Sequence, residues 1–551
     1  MSAVDYPSPQ VRHFRTIFLW PLQLMPMKEG VQTQKHWEPL TGMDGAGPWR
    51  ELEDEFTGDP AAFQERHYNE FVTFLPHVQR FLYGEGDAST MQSPIRVFRR
   101  SDVARARVTL GGAPPREILL DIAHVDLYFF FDIDIAILVV EAYADDLALR
   151  DAQDILFRFG RAYPAYWDAE GGGGHCPTKV QWLAADGAVL AESDYELRQK
   201  YLEHVCRHRA PCLASHWEFL LRPLAFAFGG AGGRIRCRQV EYHRMPLMAY
   251  LALDEPQALS RADFVRLTFA AEPGPSDRLP HSAAYLRRFE RSHCIDRFWD
   301  SAGGGTRYLC CGHALVVVTG AAVANCRDPA SGLLSQFRHQ QFVSFLIAHF
   351  HKAALLAFSD RLVVALNRLD IQAPETVKRF KRAIRQAHET FLRFTHRYWF
   401  HDIADQALVK DLFRLSSDFL ATDRLFVEVR EEIQDMSQYL DSDSLRRQAN
   451  TVIRLTVVTT FGLIATVTTG FLGMNLLAAA DESALVKLAY LVLVSVPTAA
   501  LVFFAVAKSR RLSDFLEALA EERLNGRQKL SALKRVWQDE PAPPSGGGRR
   551  A

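Results

Sequence analysis

The chain lacks the signals of a nucleic-acid binder, a secreted disulfide protein or a hydrolytic enzyme. Its 64 Lys and Arg stand against 65 Asp and Glu, for a formal net charge of −1. There is no global positive field to attract phosphate backbones, so no nucleic-acid partner is expected. The eight cysteines in 551 residues follow no secreted disulfide pattern, and a reducing cytosol suits most of the chain. Met1–Gln10 is polar and contains proline, unlike a basic-then-apolar leader. The glycine runs Gly171–Gly174 and Gly229-Gly230-Ala231-Gly232-Gly233 lack the Lys-Ser/Thr of a phosphate loop and read as connections. No nucleophile–base constellation stands out, so neither an enzyme nor a required cofactor is expected.

What the chain does have is a C-terminal pair of long apolar runs. Leu455 to Ala480 contains no charged residue, and a second uncharged run, Leu488 to Ala507, follows an acidic break at Asp481 and Glu482. A helix of about 20 apolar residues crosses a bilayer, and helices satisfy their own backbone in lipid. The two runs therefore predict a membrane hairpin over 451–508. Arg446, Arg447 and Arg454 precede it, and Lys508, Arg510 and Arg511 follow it. Cationic flanks stay cytoplasmic, so both termini are expected inside. Gly473-Met474-Asn475 then sits at the outer end of the first span. At helical spacing, one stripe of that span reads Val452, Thr456, Thr459, Leu463, Thr466 and Gly470. Such small and hydroxyl-bearing residues suit a pore lining, and they equally suit a packing face between membrane helices.

The run Asn450-Thr-Val-Ile-Arg-Leu-Thr456, then Thr466 to Gly470, then Phe-Leu-Gly473-Met474-Asn475, resembles the signature of the CorA superfamily of divalent-cation transporters, the 2-TM-GMN type. The resemblance covers roughly 405–510. It implies a homopentamer in a bacterial-type inner membrane, with a large cytoplasmic domain and a central pore lined by the first span. It also implies a selectivity ring of Gly473, Met474 and Asn475. Thr466 and Leu463 would line the pore below the ring, together with Thr459 and Gly470. Leu455 and Val452 would narrow its cytoplasmic part, and Asp481 and Glu482 would add negative potential at the mouth. The transported ion is expected to be Mg2+. Magnesium-type relatives usually carry a Met-Pro-Glu-like loop after the GMN, whereas here Leu476-Leu-Ala-Ala-Ala-Asp481-Glu-Ser-Ala follows it. Zinc, or cobalt and nickel, therefore stays open as cargo, as does a non-conducting membrane-anchored sensor or scaffold.

Before the hairpin, mixed strand and helix patterns predict an α+β or α/β cytoplasmic domain over 1–330. Ile118 to Tyr128 and Phe130 to Tyr143 read as two apolar strands, with Asp132, Asp134 and Glu141 arguing against lipid. A helical bundle and a long stalk helix are expected over 331–450. Leu408, Leu412, Leu415, Phe419, Thr422, Phe426, Val429, Ile433, Met436 and Leu440 repeat at alternating steps of four and three, as in a coiled coil or a bundle helix. Residues 509–551 predict an amphipathic cytoplasmic helix and a disordered tail. Two places are candidates for a regulatory divalent ion. Asp132 and Asp134, two apart on a strand, share one face, which also suits a salt-bridged surface. His204, Cys206, His208, Cys212 and His216 offer soft ligands suited to zinc, though the spacing matches no standard finger and Pro211 interrupts it. Cys310-Cys311-Gly-His313 is a similar, sparser set.

Overall fold

A computed structural model describes residues 9–25, 34–41, 47–52, 65–84, 93–112, 114–226, 235–240, 244–274, 281–299, 305–328, 331–370, 373–473 and 483–507. The chain divides into two compact units, Met1–Ser437 and Gln438–Ala551.

The first unit is organised by one 14-stranded sheet. In chain order its strands are β1 (Gln10–Leu24), β2 (Trp49–Glu51), β3 (Ile95–Arg100), β4 (Arg105–Leu110), β5 (Arg116–Phe130), β6 (Ile135–Ala148), β7 (Lys179–Leu183), β8 (Val189–Glu192), β9 (Leu224–Phe226), β10 (Ile235–Gln239), β11 (Leu247–Leu253), β12 (Cys294–Phe298), β13 (Thr306–Cys310) and β14 (Ala314–Gly320). Their spatial order is β12-β13-β14-β11-β1-β6-β5-β4-β7-β8, with β2–β3 added on β5 and β9–β10 added on β1. Pairing is antiparallel except for β11 with β14 and β9 with β10. β1 lies against β6 from Gln10↔Ala148 to Gln23↔Ile135. Both strands are long and apolar because helices cover the sheet on both faces.

Adjacent strand residues point to opposite faces, and Phe129 and Phe130 show what each face meets. Phe129 joins the core in which Phe18 meets Phe159 at 5.3 Å and Trp20 meets Trp217 at 6.0 Å. That side carries α4 (Leu149–Arg158), α6 (Ser215–Leu221) and α7 (Arg261–Phe269); α5 (Arg198–His208) falls between α4 and α6 in the chain, and α8 (Ala283–His293) follows α7. Short helices α1 (Glu38–Thr41), α2 (Glu65–Thr73) and α3 (Pro76–Tyr83) precede β3. Phe130 instead stacks on Phe350, ring centroids 3.9 Å apart.

Phe350 belongs to a long helical run: α9 (Leu333–Gln336), a π-helical turn (Phe337–Gln341) and α10 (Phe342–Asn367). Among the described residues, Leu333–Asn367 is the helical run long and apolar enough to cross a membrane, yet 78% of its most apolar window is buried. It serves as a core helix beneath the sheet. α11 (Pro374–Arg397) returns along α10, with Phe358 meeting Phe391 at 5.6 Å and Phe350 meeting Phe394 at 6.1 Å. α12 (Ala407–Leu420) follows, and α13 runs from Thr422 to Gly473, 52 residues.

Two sequence expectations need correction here. The repeat from Leu408 to Leu440 is not one stalk. Ala421 takes the left-handed conformation (φ 53°) and closes α12, so the continuous helix begins at Thr422. Asp132 and Asp134 are not on a strand either. They occupy the tight turn between β5 and β6, where Asp132 has φ 65°. Aspartate tolerates that left-handed region better than the apolar residues around it.

The second unit, by itself, contains the later part of α13 and α14 (Ala484–Ala507), which carries Pro497 in its interior. Val467 and Phe471 of α13 and Tyr490, Leu493, Val494, Pro497 and Thr498 of α14 line one groove between the two helices.

Candidate functional site

The C-terminal helices hold the residues with the sharpest expectation. Val452, Leu455 and Leu463 are 61%, 63% and 53% exposed, and Thr459, Thr466 and Gly470 are exposed as well. The stripe therefore lies on the side of α13 that α14 leaves uncovered. The side chain of Thr456 falls outside the described residues. The hydroxyls of Thr459 and Thr466 donate to the carbonyls of Leu455 (2.9 Å) and Gly462 (2.8 Å), one turn back. This bonding spares an apolar helix the cost of unpaired hydroxyls while leaving their oxygen lone pairs available.

The glycines are informative. A methyl group added at Gly462, Gly470 or Gly473 would meet nothing within 4 Å among the described residues. Among the described residues nothing requires those positions to be small, so the described packing of α13 on α14 does not account for them. Met474, Asn475, Asp481 and Glu482 lie outside the described residues, and Gly473 is the last residue of α13. A helix C-terminus carries partial negative charge and favours cations. From Leu455 to Gly473 an α-helix rises roughly 27 Å, close to the hydrocarbon thickness of about 30 Å. On α14, Leu485, Leu488, Val492, Leu493, Val496 and Phe503 are each more than half exposed. An apolar surface of that extent marks contact with lipid or protein.

The two candidate regulatory sites have a different character. Asp132 is buried and pairs with Arg393 of α11; Asp134 is buried and pairs with Arg361 of α10 and with His36 at 2.6 Å. Burial first, and Arg361 next, push His36 down to about 4, so it stays neutral at neutral pH. These carboxylates fasten α10 and α11 to the sheet. His204 and His208 lie one turn apart on α5, ring centroids 4.7 Å apart. Cys212 falls beyond the left-handed cap at Arg209; its thiol is buried and faces the carbonyl of Leu213 at 3.6 Å. His216 is fully buried among Trp182, Tyr195 and Trp217, and burial pushes it down to about 3. Cys206 is exposed at the surface of α5. Cys311 faces His313 at 3.5 Å, whereas Cys310 is buried against Ser416. Among the described residues no three His, Cys, Asp or Glu side chains come together to hold a metal ion.

The structure adds one polar cluster the sequence did not announce. Glu141 of β6, 5% exposed, accepts from Arg15 of β1 at 2.6 Å and from Arg338 of the π-helical turn at 2.7 Å. Arg338 also reaches the Nε2 of His124 at 3.1 Å. Burial would raise Glu141, but the two arginines hold it below the ordinary carboxylate value. Its one sequence trace is an acid inside an apolar strand, where pairing is the rule.

No protein-family model matches the chain, and no curated protein matches it.

Proposed function

We propose that the chain conducts divalent cations across a membrane as a homo-oligomer, with Mg2+ as the principal substrate and α13 lining the pore. The observation that carries this reading is the stripe from Val452 to Gly470, which is exposed along α13 and includes a glycine whose small size serves no contact among the described residues. A single hairpin cannot enclose a pore, so the exposed stripe is a surface that several copies would turn toward a common axis. The apolar outer surface of α14 supports a lipid-facing position for that helix.

Asn475, with Gly473 and Met474, would form the selecting ring at the outer mouth. Magnesium gives up its waters reluctantly and is held well by neutral oxygens acting through them. A ring of amide and carbonyl oxygens binds such an ion weakly enough to release it inward. Leu463, Leu455 and Val452 would form apolar narrowings that gate by excluding water. An inside-negative potential would drive entry by about 4.6 kcal/mol per divalent ion per 100 mV.

The test is ion flux into liposomes holding the purified full-length protein, comparing magnesium, zinc and cobalt, with Asn475→Ala as the control. Magnesium entry that falls at least tenfold in the variant is expected. Zinc entry alone would reassign the cargo. Intact oligomers that pass no ion under any gradient would overturn conduction in favour of a membrane-anchored sensor.

A further inference from the structure

The exposed faces of the helical layer carry opposite charges on different helices. On α11, Arg379, Arg382 and Arg385 lie at steps of three, all exposed, and none forms an ion pair with another described residue. On the first turns of α13, Glu428, Glu431 and Asp435 form an exposed acidic ridge, also without ion pairs among the described residues. Within the chain these ridges do not neutralise one another.

Each ridge has apolar surface beside it. Phe358 meets Phe391 and Phe350 meets Phe394, so α11 runs back along α10. Counted from the Phe358–Phe391 contact with equal rise per residue in both helices, Leu366 falls near Arg382. At this end of α10, Val363, Val364 and Leu366 are 52%, 37% and 50% exposed. They give the basic ridge an apolar flank. The acidic ridge has Val427, 41% exposed, at its foot.

We infer that the acidic face of α13 in one copy (Glu428, Glu431, Asp435 with Val427) docks on the α10–α11 face of the next copy (Arg379, Arg382, Arg385 with Val363 and Leu366). The occupant is a second copy of this chain because the two faces complement each other in charge and both offer apolar contact. Exposed ion pairs contribute little singly. Three of them around an apolar centre, repeated at each contact of a ring, give direction and partner choice. Because the faces differ, the contact is head-to-tail, and such contacts close into rings when the rotation allows. The inference rests on the homo-oligomeric reading above and names the surfaces that build it.

The experiment is a charge swap in the full-length protein in detergent, read as assembly mass by light scattering, with near-ultraviolet circular dichroism reporting folding. R382E/R385E and E431R/D435R are each expected to lose the wild-type assembly. The fourfold variant is expected to recover it, and so is a mixture of the two double variants carrying different tags. Should a reversal fail to fold, the neutral R382Q/R385Q pair reads the same contact as an assembly that dissociates at lower salt than wild type. Wild-type mass in both double variants, or no recovery in the fourfold variant, overturns the interface while leaving conduction to the flux assay. Loss of vesicle binding by R382E/R385E with unchanged assembly would assign the ridge to anionic lipid and overturn the inference. A monomeric wild type would sink the oligomeric reading itself.

Discussion

Replacing Glu141 with Gln removes the one negative charge that two arginines share inside the sheet layer. Glu141 is 5% exposed and Arg15 7% exposed, and the pair closes at 2.6 Å. The amide keeps the size of the carboxylate but presents an N–H where a second acceptor stood, facing the donors of Arg338. Breaking a buried pair from one side costs about 3–5 kcal/mol, because the remaining charge stays buried without a partner. Domain stabilities run about 5–15 kcal/mol, so Glu141→Gln should bring the unit close to unfolding. The assay is denaturant unfolding of the full-length protein in detergent, followed by tryptophan fluorescence from the Trp20, Trp182 and Trp217 cluster. Glu290→Gln is the control, since Glu290 pairs with Arg261 at 2.7 Å on the surface and such pairs are worth about 1 kcal/mol or less. A loss in Glu141→Gln no larger than the control would refute the reasoning. The pH dependence has a definite sign. The folded-state pKa of Glu141 is lowered from 4.5. Its contribution is therefore present above that unfolded value and disappears as pH falls through the lower folded one.

Two further outcomes follow from local geometry. His36, His216 and His351 are buried and pushed down to about 4, 3 and 4 from 6.5. The unfolded chain takes up protons first, so stability should decline as pH drops from about 6.5 toward 4. Melting curves across that range should show a shallower decline in His216→Phe, and an unchanged slope would count against burial as the cause. Ala421 holds a left-handed φ of 53° between α12 and α13. Ala421→Gly should raise stability by about 1 kcal/mol in the same denaturant assay, and a loss would mean that the junction is not strained.

Much of the layout was readable because it is periodic. The long strands and the helical region after residue 333 each carry an uninterrupted pattern. The errors came where one residue breaks a period. Phe130 to Tyr143 reads as one apolar run, but a four-residue turn at 131–134 interrupts it, and composition barely registers so short a break. The repeat from Leu408 to Leu440 survives the interruption at Ala421 because both helices bury their apolar faces, so the spacing stays intact while the backbone turns. Alanine is the best helix former, and nothing local marks Ala421 as a terminus. The sheet order and the Arg15–Glu141–Arg338 cluster depend on residues up to 323 positions apart in sequence. Spacing says nothing about such pairs. The histidine and cysteine set near residue 210 shows the converse. Sequence proximity suggested a ligand cluster, and the cap at Arg209 together with burial of His216 gives its members separate surroundings.

The π-helical turn at Phe337–Gln341 has a consequence for how the gene tolerates length changes. A π turn holds one residue more than the α-helix it interrupts. Elsewhere in α10, losing a residue would swing every later side chain by about 100° and take Phe350 and Phe358 off their partners. Within 337–341 a single deletion would instead be absorbed, since the excess residue is removed and plain α-helix remains on either side. That turn is the place in the long core helix where descendants of this chain can shorten by one codon and keep the same fold. The cost falls on Arg338, whose grip on Glu141 depends on the bulge.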